Sequence, residues 1–289
     1  MAEPLAISVA SVDSPRMSDP TKPHAPQNAP ISHAPISQTG GSHAGGPPAG
    51  MPGLPEIDVR EWGGKREGER QVLDRRTFFQ LMAFDVVHGQ TRAGIDALAS
   101  MLAEQRIASV LYQEASAPMT IALLTWSEDP AHFVDRVLPI VDRPELVQRR
   151  EYTMLGRTYS LGHEPDLEHA LLRRPVEYCL HAGWDWHVWY PLRRSGAFER
   201  LDKHEQNMIL KEHAAIGMAY GRADLAHDVR LACHGLDAND NEFVVGLIGK
   251  DLYPLSHVVQ AMRHTKQTSE FISQMGPFFV GRVVARCAG

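Results

Sequence analysis

The chain has only three cysteines, Cys179, Cys233 and Cys287. They are too few and too widely spaced for a disulfide framework or a paired-thiolate metal motif, and they fit a reducing, cytoplasmic setting. Basic charge is not in excess either: the formal net charge is -6 and the pI about 6.2. Such a balance lacks the positive field that neutralises phosphates, so no nucleic-acid partner is expected. No apolar run approaches the roughly 20 residues a spanning helix needs, so no membrane partner is expected. The opening MAEPLAISVASVDSP has neither the basic region nor the apolar region of a secretory signal.

What is present divides unevenly. Residues 1–55 hold 11 of the 20 prolines, together with APISHAPIS and GGSHAGGPPAG, and few large apolar residues. A segment of that composition cannot bury enough surface to offset its ordering entropy, so it is expected to be a disordered tail. Its histidines, His24, His33 and His43, read as solvated polymer rather than as metal ligands.

From Glu56 onward the periodicity is that of a folded chain. FFQLMAFDV (78–86), IASVLYQ (107–113), MTIALLTW (119–126) and REYTMLG (150–156) read as strands. Between them fall a helix capped by Thr91, with Ile95, Leu98, Ala99 and Leu102 on one face, and a helix opened by Asp129 and Pro130. The order is βαββαβ over 56–160. A polar connector near 157–182 follows, and 161–289 repeats the order. Its strands are WDWHVWYPL (184–192), HDVRLAC (227–233), EFVVGLIG (242–249) and FFVGRVV (278–284). Its helices are 201–217, ended by Gly217, and one carrying Leu255, Val258, Val259 and Met262. Two ferredoxin-like halves in one chain predict an α+β fold in which the sheets join as a dimeric α+β barrel.

The stretch LKEHAAIGMAYGRADLAHDVRLACHGLD (210–237) carries His213, His227 and His234. His213 lies four residues after Ile209 and three before Ile216, on the apolar stripe of its helix, whereas His204 falls on the other side. On the following strand His227 shares a face with Val229, Leu231 and Cys233, while Asp228, Arg230, Ala232 and His234 share the opposite one. Cys233 and His234 thus point apart, which argues against a joint zinc site. His213 is the candidate ligand. Arg230, a cation that cannot shed its charge, needs an anion or a hydrated cavity beside it.

YPLRR (190–194), EHAAIGMAY (212–220) and TKQTSEFISQMGPFFVG (265–281) together resemble the chlorite dismutase family, over about Tyr190 to Val284. That family includes chlorite dismutases and the coproheme decarboxylases of haem synthesis. The resemblance implies haem as cofactor, with His213 as the proximal iron ligand and an open second axial site. It places Arg230 at the distal position, which is arginine in chlorite dismutases and smaller or neutral in many decarboxylases. Tyr190 falls at the tyrosine that decarboxylases oxidise to a radical. Arg194 and Ser269 fall at propionate contacts, and Gln267 stands where the family commonly has a glutamate that charges the proximal imidazole. The implied activity is peroxide-dependent conversion of iron coproporphyrin III to haem b, a haem-dependent oxidoreductase of haem biosynthesis. The alternatives are chlorite decomposition to chloride and dioxygen, or haem binding without turnover. The partners implied are an iron porphyrin, hydrogen peroxide or chlorite, and further copies of the chain in a homopentamer.

Overall fold

A computed structural model describes residues 54–289. The expected disordered tail lies, up to residue 53, outside the described residues. The elements in chain order are β1 (Glu61–Arg66), β2 (Glu69–Leu73), β3 (Phe78–Val86), α1 (Thr91–Glu104), β4 (Ser109–Glu114) and β5 (Thr120–Ser127). A π-helical turn, Phe133–Val137, then runs into α2 (Leu138–Val141), followed by β6 (Leu146–Arg157). After a second such turn, His169–Arg173, come α3 (Arg174–Leu180), β7 (Trp186–Arg194), α4 (Lys203–Arg222), β8 (His227–Ala232) and β9 (Phe243–Gly249). The chain closes with α5 (Leu252–Met262), β10 (Ile272–Met275) and β11 (Phe279–Cys287).

The first half pairs its strands in the order β4-β5-β3-β6 and the second in the order β8-β9-β7-β11. Both are the antiparallel ferredoxin-like arrangement that the repeated element order predicts. β11 pairs with β4 and β6 meets β8, so the two sheets join at both edges. The side-chain period of two then sorts every strand. Phe79, Leu81, Ala83, Tyr112, Trp189, Val229, Leu231 and Phe279 form one buried cluster. Met82, Phe84 and Val86, the alternate residues of β3, pack instead with Ile95, Leu98 and Leu102 of α1 and with Val137 and Ile140. In the second half Val188, Tyr190 and Leu247 pack on the corresponding face with Leu255 and Val258 of α5.

Several local expectations are corrected. The polar connector contains a helix, α3, which the sequence pattern conceals because it is only seven residues long and follows a π-helical turn that breaks the 3.6-residue period. Its Cys179 is fully buried. Gly217 does not end α4: the helix runs on to Arg222, since a glycine lacks a side chain but keeps its backbone hydrogen bonds. At the start of α4 the Asp202 carboxylate accepts from the Glu205 amide at 2.9 Å. Thr91 is the first helical residue rather than the cap, and its hydroxyl donates to the Pro118 carbonyl at 2.8 Å. The hairpin β1–β2 and the short β10 carry no clear alternation and are not visible in the sequence pattern.

One close approach fixes the second sheet. The Trp189 ring lies over Gly246, so near that a Cβ there would stand 2.5 Å from the ring. Gly246→Ala should destabilise the protein by about 1–3 kcal/mol in chemical denaturation, because the ring and strand must part. Gly196→Ala, where a Cβ meets nothing within 4 Å, should change stability by less than about 0.5 kcal/mol.

Candidate functional site

The candidate residues converge on the face of the second sheet that turns away from the interior cluster. Tyr190 on β7 is paired with Val245 on β9, and Val245 with Arg230 on β8. These three residues therefore form one row across the sheet, with Tyr190 and Arg230 two strand spacings apart, roughly 10 Å. The neighbouring row is Val188, Leu247 and Asp228. Apart from Tyr190, Asp228 and Arg230 the two rows are aliphatic.

α4 and α5 cover this face unequally. Leu255 and Val258 of α5 are buried against it, but Ile216 and Tyr220 of α4 are only partly buried. Of the 20 residues of α4, just Gln206 and Ile209 are buried. His213, one turn beyond Ile209, is half-buried. Burial holds its pKa below the ordinary imidazole value, and the positive charge of Arg230 lowers it further. The charge of Arg230 is thus felt at His213.

His213 has a polar neighbour at Nδ1. Thr265 Oγ1 lies 3.5 Å from His213 Nδ1 and donates its own proton to the Met262 carbonyl at 2.8 Å. Its oxygen can then accept from Nδ1, an arrangement compatible with the tautomer that leaves the Nε2 lone pair free. The contact is long, an orienting interaction rather than a strong bond. Thr265 is a partner that the sequence pattern does not reveal. Gln267, expected at the proximal imidazole, has its buried Oε1 without a hydrogen-bond partner.

Tyr190 is 7% exposed, and its ring stacks on Phe278 with centroids 4.4 Å apart. Burial raises the phenol pKa far above the ordinary value, the Asp228 carboxylate adds to the rise, and Arg263 opposes it. Arg263, beyond the end of α5, is a cation near the site that the sequence reading does not single out. Nor does that reading single out Asp228, although the strand period places it on the face of Arg230. Its carboxylate Oδ2 lies 2.7 Å from Arg230 Nε. Desolvation works against the charge on Arg230, but Asp228, Tyr159 and Glu164 together outweigh it and its pKa is raised. A cavity of about 20 Å³, room for about one water, adjoins the pair and is lined also by Tyr159, Glu164 and Arg174.

Two candidates stand apart from this group. Arg194, at the end of β7, is engaged by Glu199 at 3.1 Å and Glu242 at 3.4 Å, with its guanidinium over the Phe198 ring at 4.2 Å. Ser269 is exposed and donates its hydroxyl proton to the Thr265 carbonyl at 2.9 Å. The other two histidines of the 210–237 stretch are placed elsewhere. His227 bonds Asp224 at 2.8 Å and stacks on Trp184, and His234 is exposed beside Phe243.

With this geometry in hand, the resemblance read from the sequence is borne out by comparison with known proteins. The chlorite dismutase family model matches residues 168–284. No curated protein sequence matches the chain. Among solved structures, a haem-binding protein from Thermus thermophilus superposes with a TM-score of 0.59 at 15% identity, covering 75% of this chain and 94% of its own. The chlorite dismutase from Candidatus Nitrospira defluvii, in complex with imidazole, superposes with a TM-score of 0.57 at 13% identity, covering 74% and 93%. At such identities the likeness establishes a shared fold.

The electrostatics carry a direct test. His213 should titrate below 6.5 in nuclear magnetic resonance spectra of the protein. Arg230→Gln should raise that midpoint, because a repelling charge is lost, without restoring the full ordinary value, because burial persists.

Proposed function

We propose that this chain is a haem-dependent oxidoreductase that uses hydrogen peroxide to convert iron coproporphyrin III into haem b, with its porphyrin site between α4 and the β7–β9–β8 face. The observation that carries the reading is the row of Tyr190, Val245 and Arg230 beneath a loosely packed helix that carries His213. The residues present fit such a group. His213 offers a neutral imidazole with Nε2 free, and among the described residues no three His, Cys, Asp or Glu side chains gather to hold a bare metal ion. A single imidazole suits an iron whose equatorial positions a porphyrin fills. Val188, Val245, Leu247, Ile216, Met262 and Phe278 supply an apolar wall, and Arg263 supplies positive charge for propionates. Ser269 and Arg194 would assist at the margin, Arg194 with its charge already matched by two carboxylates.

The bound iron porphyrin supplies one-electron oxidising chemistry when it meets peroxide. Everything else falls to the protein. Arg230 orients the peroxide through charge-assisted hydrogen bonds. Tyr190 is the group to be oxidised: burial disfavours its phenolate, so electron and proton must leave together. The resulting tyrosyl oxygen takes a hydrogen from the β-carbon of a propionate. After a second electron is withdrawn, the bond to the carboxyl carbon breaks, carbon dioxide departs and a vinyl group remains. Each propionate consumes one peroxide and one proton and yields two waters, and the cycle runs twice.

A second reading is favoured by Arg230 alone. A guanidinium beside a bound iron porphyrin would retain an anion, as chlorite decomposition requires. Purified protein loaded with iron coproporphyrin and given peroxide should release porphyrin lighter by two successive losses of carbon dioxide and hydrogen, seen by mass spectrometry. Tyr190→Phe should keep porphyrin binding and lower decarboxylation by about 100-fold or more, a barrier rise of ~3 kcal/mol. Arg230→Gln should cost less. Oxygen release from chlorite, with Tyr190→Phe silent and Arg230→Gln impaired, is the outcome that replaces the first reading with the second. His213→Ala should alter the Soret band of the loaded protein in either case.

The same reading makes the protein a homopentamer. Its support is the exposure of Met208, Leu210 and Met218 on α4 and of Tyr253 on α5. Light scattering should report five copies at micromolar concentration, and a monomer there would count against the assembly.

A further inference from the structure

We propose that Asp228 determines which oxidant the site accepts, by pairing with Arg230 so that an uncharged molecule is favoured over an anion. The inference rests on the porphyrin reading above and deepens it.

Asp228 and Arg230 are two residues apart on β8, so both side chains leave the same face of the sheet. Val229 between them is buried in the interior cluster. The carboxylate meets Nε, which leaves the two terminal guanidinium nitrogens without a hydrogen-bond partner among the described residues. Arg230 can therefore still donate to a ligand, but it does so as half of a neutral pair. An anion brought to that fork meets the carboxylate as well as the guanidinium. A neutral molecule such as peroxide meets two donors and, beside them, a carboxylate oxygen able to accept its proton. Neither partner has another ion-pair contact among the described residues. The pair is also not a device for stability. Its side chains keep 40% and 47% of their surface exposed, and ion pairs so exposed contribute little to folding.

Asp228 is thereby a positioning residue that acts through Arg230, and its effect is separable from turnover. The measurement is the dissociation constant of fluoride, an anion, and of imidazole, a neutral ligand, from the ferric haem-loaded protein, read from the Soret band. Asp228→Asn keeps the shape and removes the charge, so fluoride should bind roughly ten- to a hundredfold more tightly, the usual effect of one charge at contact distance. Imidazole affinity should stay within about twofold, as expected where no charge is at stake. Asp228→Glu should restore weak fluoride binding. In an Arg230→Gln background the gain from Asp228→Asn should shrink, since the two residues act as a unit. Unchanged fluoride affinity in Asp228→Asn, with imidazole binding intact, overturns the proposal and leaves the porphyrin reading standing. Failure of the unaltered protein to bind ferric haem overturns both. Equal tightening of fluoride and imidazole shows a steric change and overturns the charge argument.

Discussion

Each βαββαβ half of this chain has two outer strands, β4 and β6 in the first and β8 and β11 in the second, whose free edges would present unpaired amides and carbonyls. Pairing β11 with β4 and bringing β6 to β8 engages all four strands. From that joining follows the division of every strand into an interior and an exterior face. The interior fills with the aromatic and aliphatic cluster around Phe79, Tyr112, Trp189 and Phe279. Its polar groups include a matched pair: Tyr112 and His187 share a hydrogen bond of 2.8 Å, and His187 Nε2 meets the Trp184 carbonyl at 3.1 Å. Helices α1, α2, α4 and α5 are left with the exterior faces, whereas α3 packs Cys179 onto the interior cluster. The two joints are unlike: β11 and β4 pair over most of their length, whereas β6 and β8 meet only at Arg157 and Ala232. Asp228 and Arg230 stand just before that single contact, on a strand paired along its length with β9 but touching β6 only at its end.

The two halves share one topology and use it differently. α1 and α4 occupy equivalent places, each following the first strand of its half. In 14 residues α1 buries Ile95, Leu98 and Leu102, and the face below it is continuous aliphatic and aromatic surface. In 20 residues α4 buries two, and the face below it contains Tyr190, Asp228 and Arg230. A helix close-packed on its sheet gains about 25 cal/mol for each Å² of apolar surface removed from water, and α4 forgoes much of that gain. It recovers part of it at its start, through the Asp202 cap and through Lys266, whose Nζ meets Glu205 Oε1 at 2.9 Å. The duplicated scaffold thus has one exterior face of aliphatic and aromatic residues and one that carries ionisable groups, which supports placing the proposed site on the second.

Much of this is legible in the residues, and the reasons for the rest are specific. β3, β8 and β9 are readable almost to the residue because alternation on a half-buried strand is a strong signal. The placing of Asp228 and Arg230 on one face and of Val229 and Leu231 on the other comes from the same period. α3 is not readable, since it is seven residues long and the π-helical turn before it breaks the 3.6-residue pattern. The row joining Tyr190 to Arg230 is out of reach in a different way, because strand register between β7, β9 and β8 is a property of pairs 15 to 55 residues apart in sequence. Thr265 is out of reach for a similar reason, lying 52 residues from the imidazole it faces.

The resemblance to a known family leaves two positions in conflict, Tyr190 suiting one chemistry and Arg230 the other. That conflict compares residue names. Compared as charges, the positions agree better: Arg230 with Asp228 at 2.7 Å presents donors but little net charge, which is what a neutral residue at the distal position also presents. A lone arginine and an arginine in an ion pair differ in how they treat an anion, although a motif cannot tell them apart. The partner lies two residues away on the same strand face, where period-two reading already places it. On the proposed reading, the unit to test at this position is the pair.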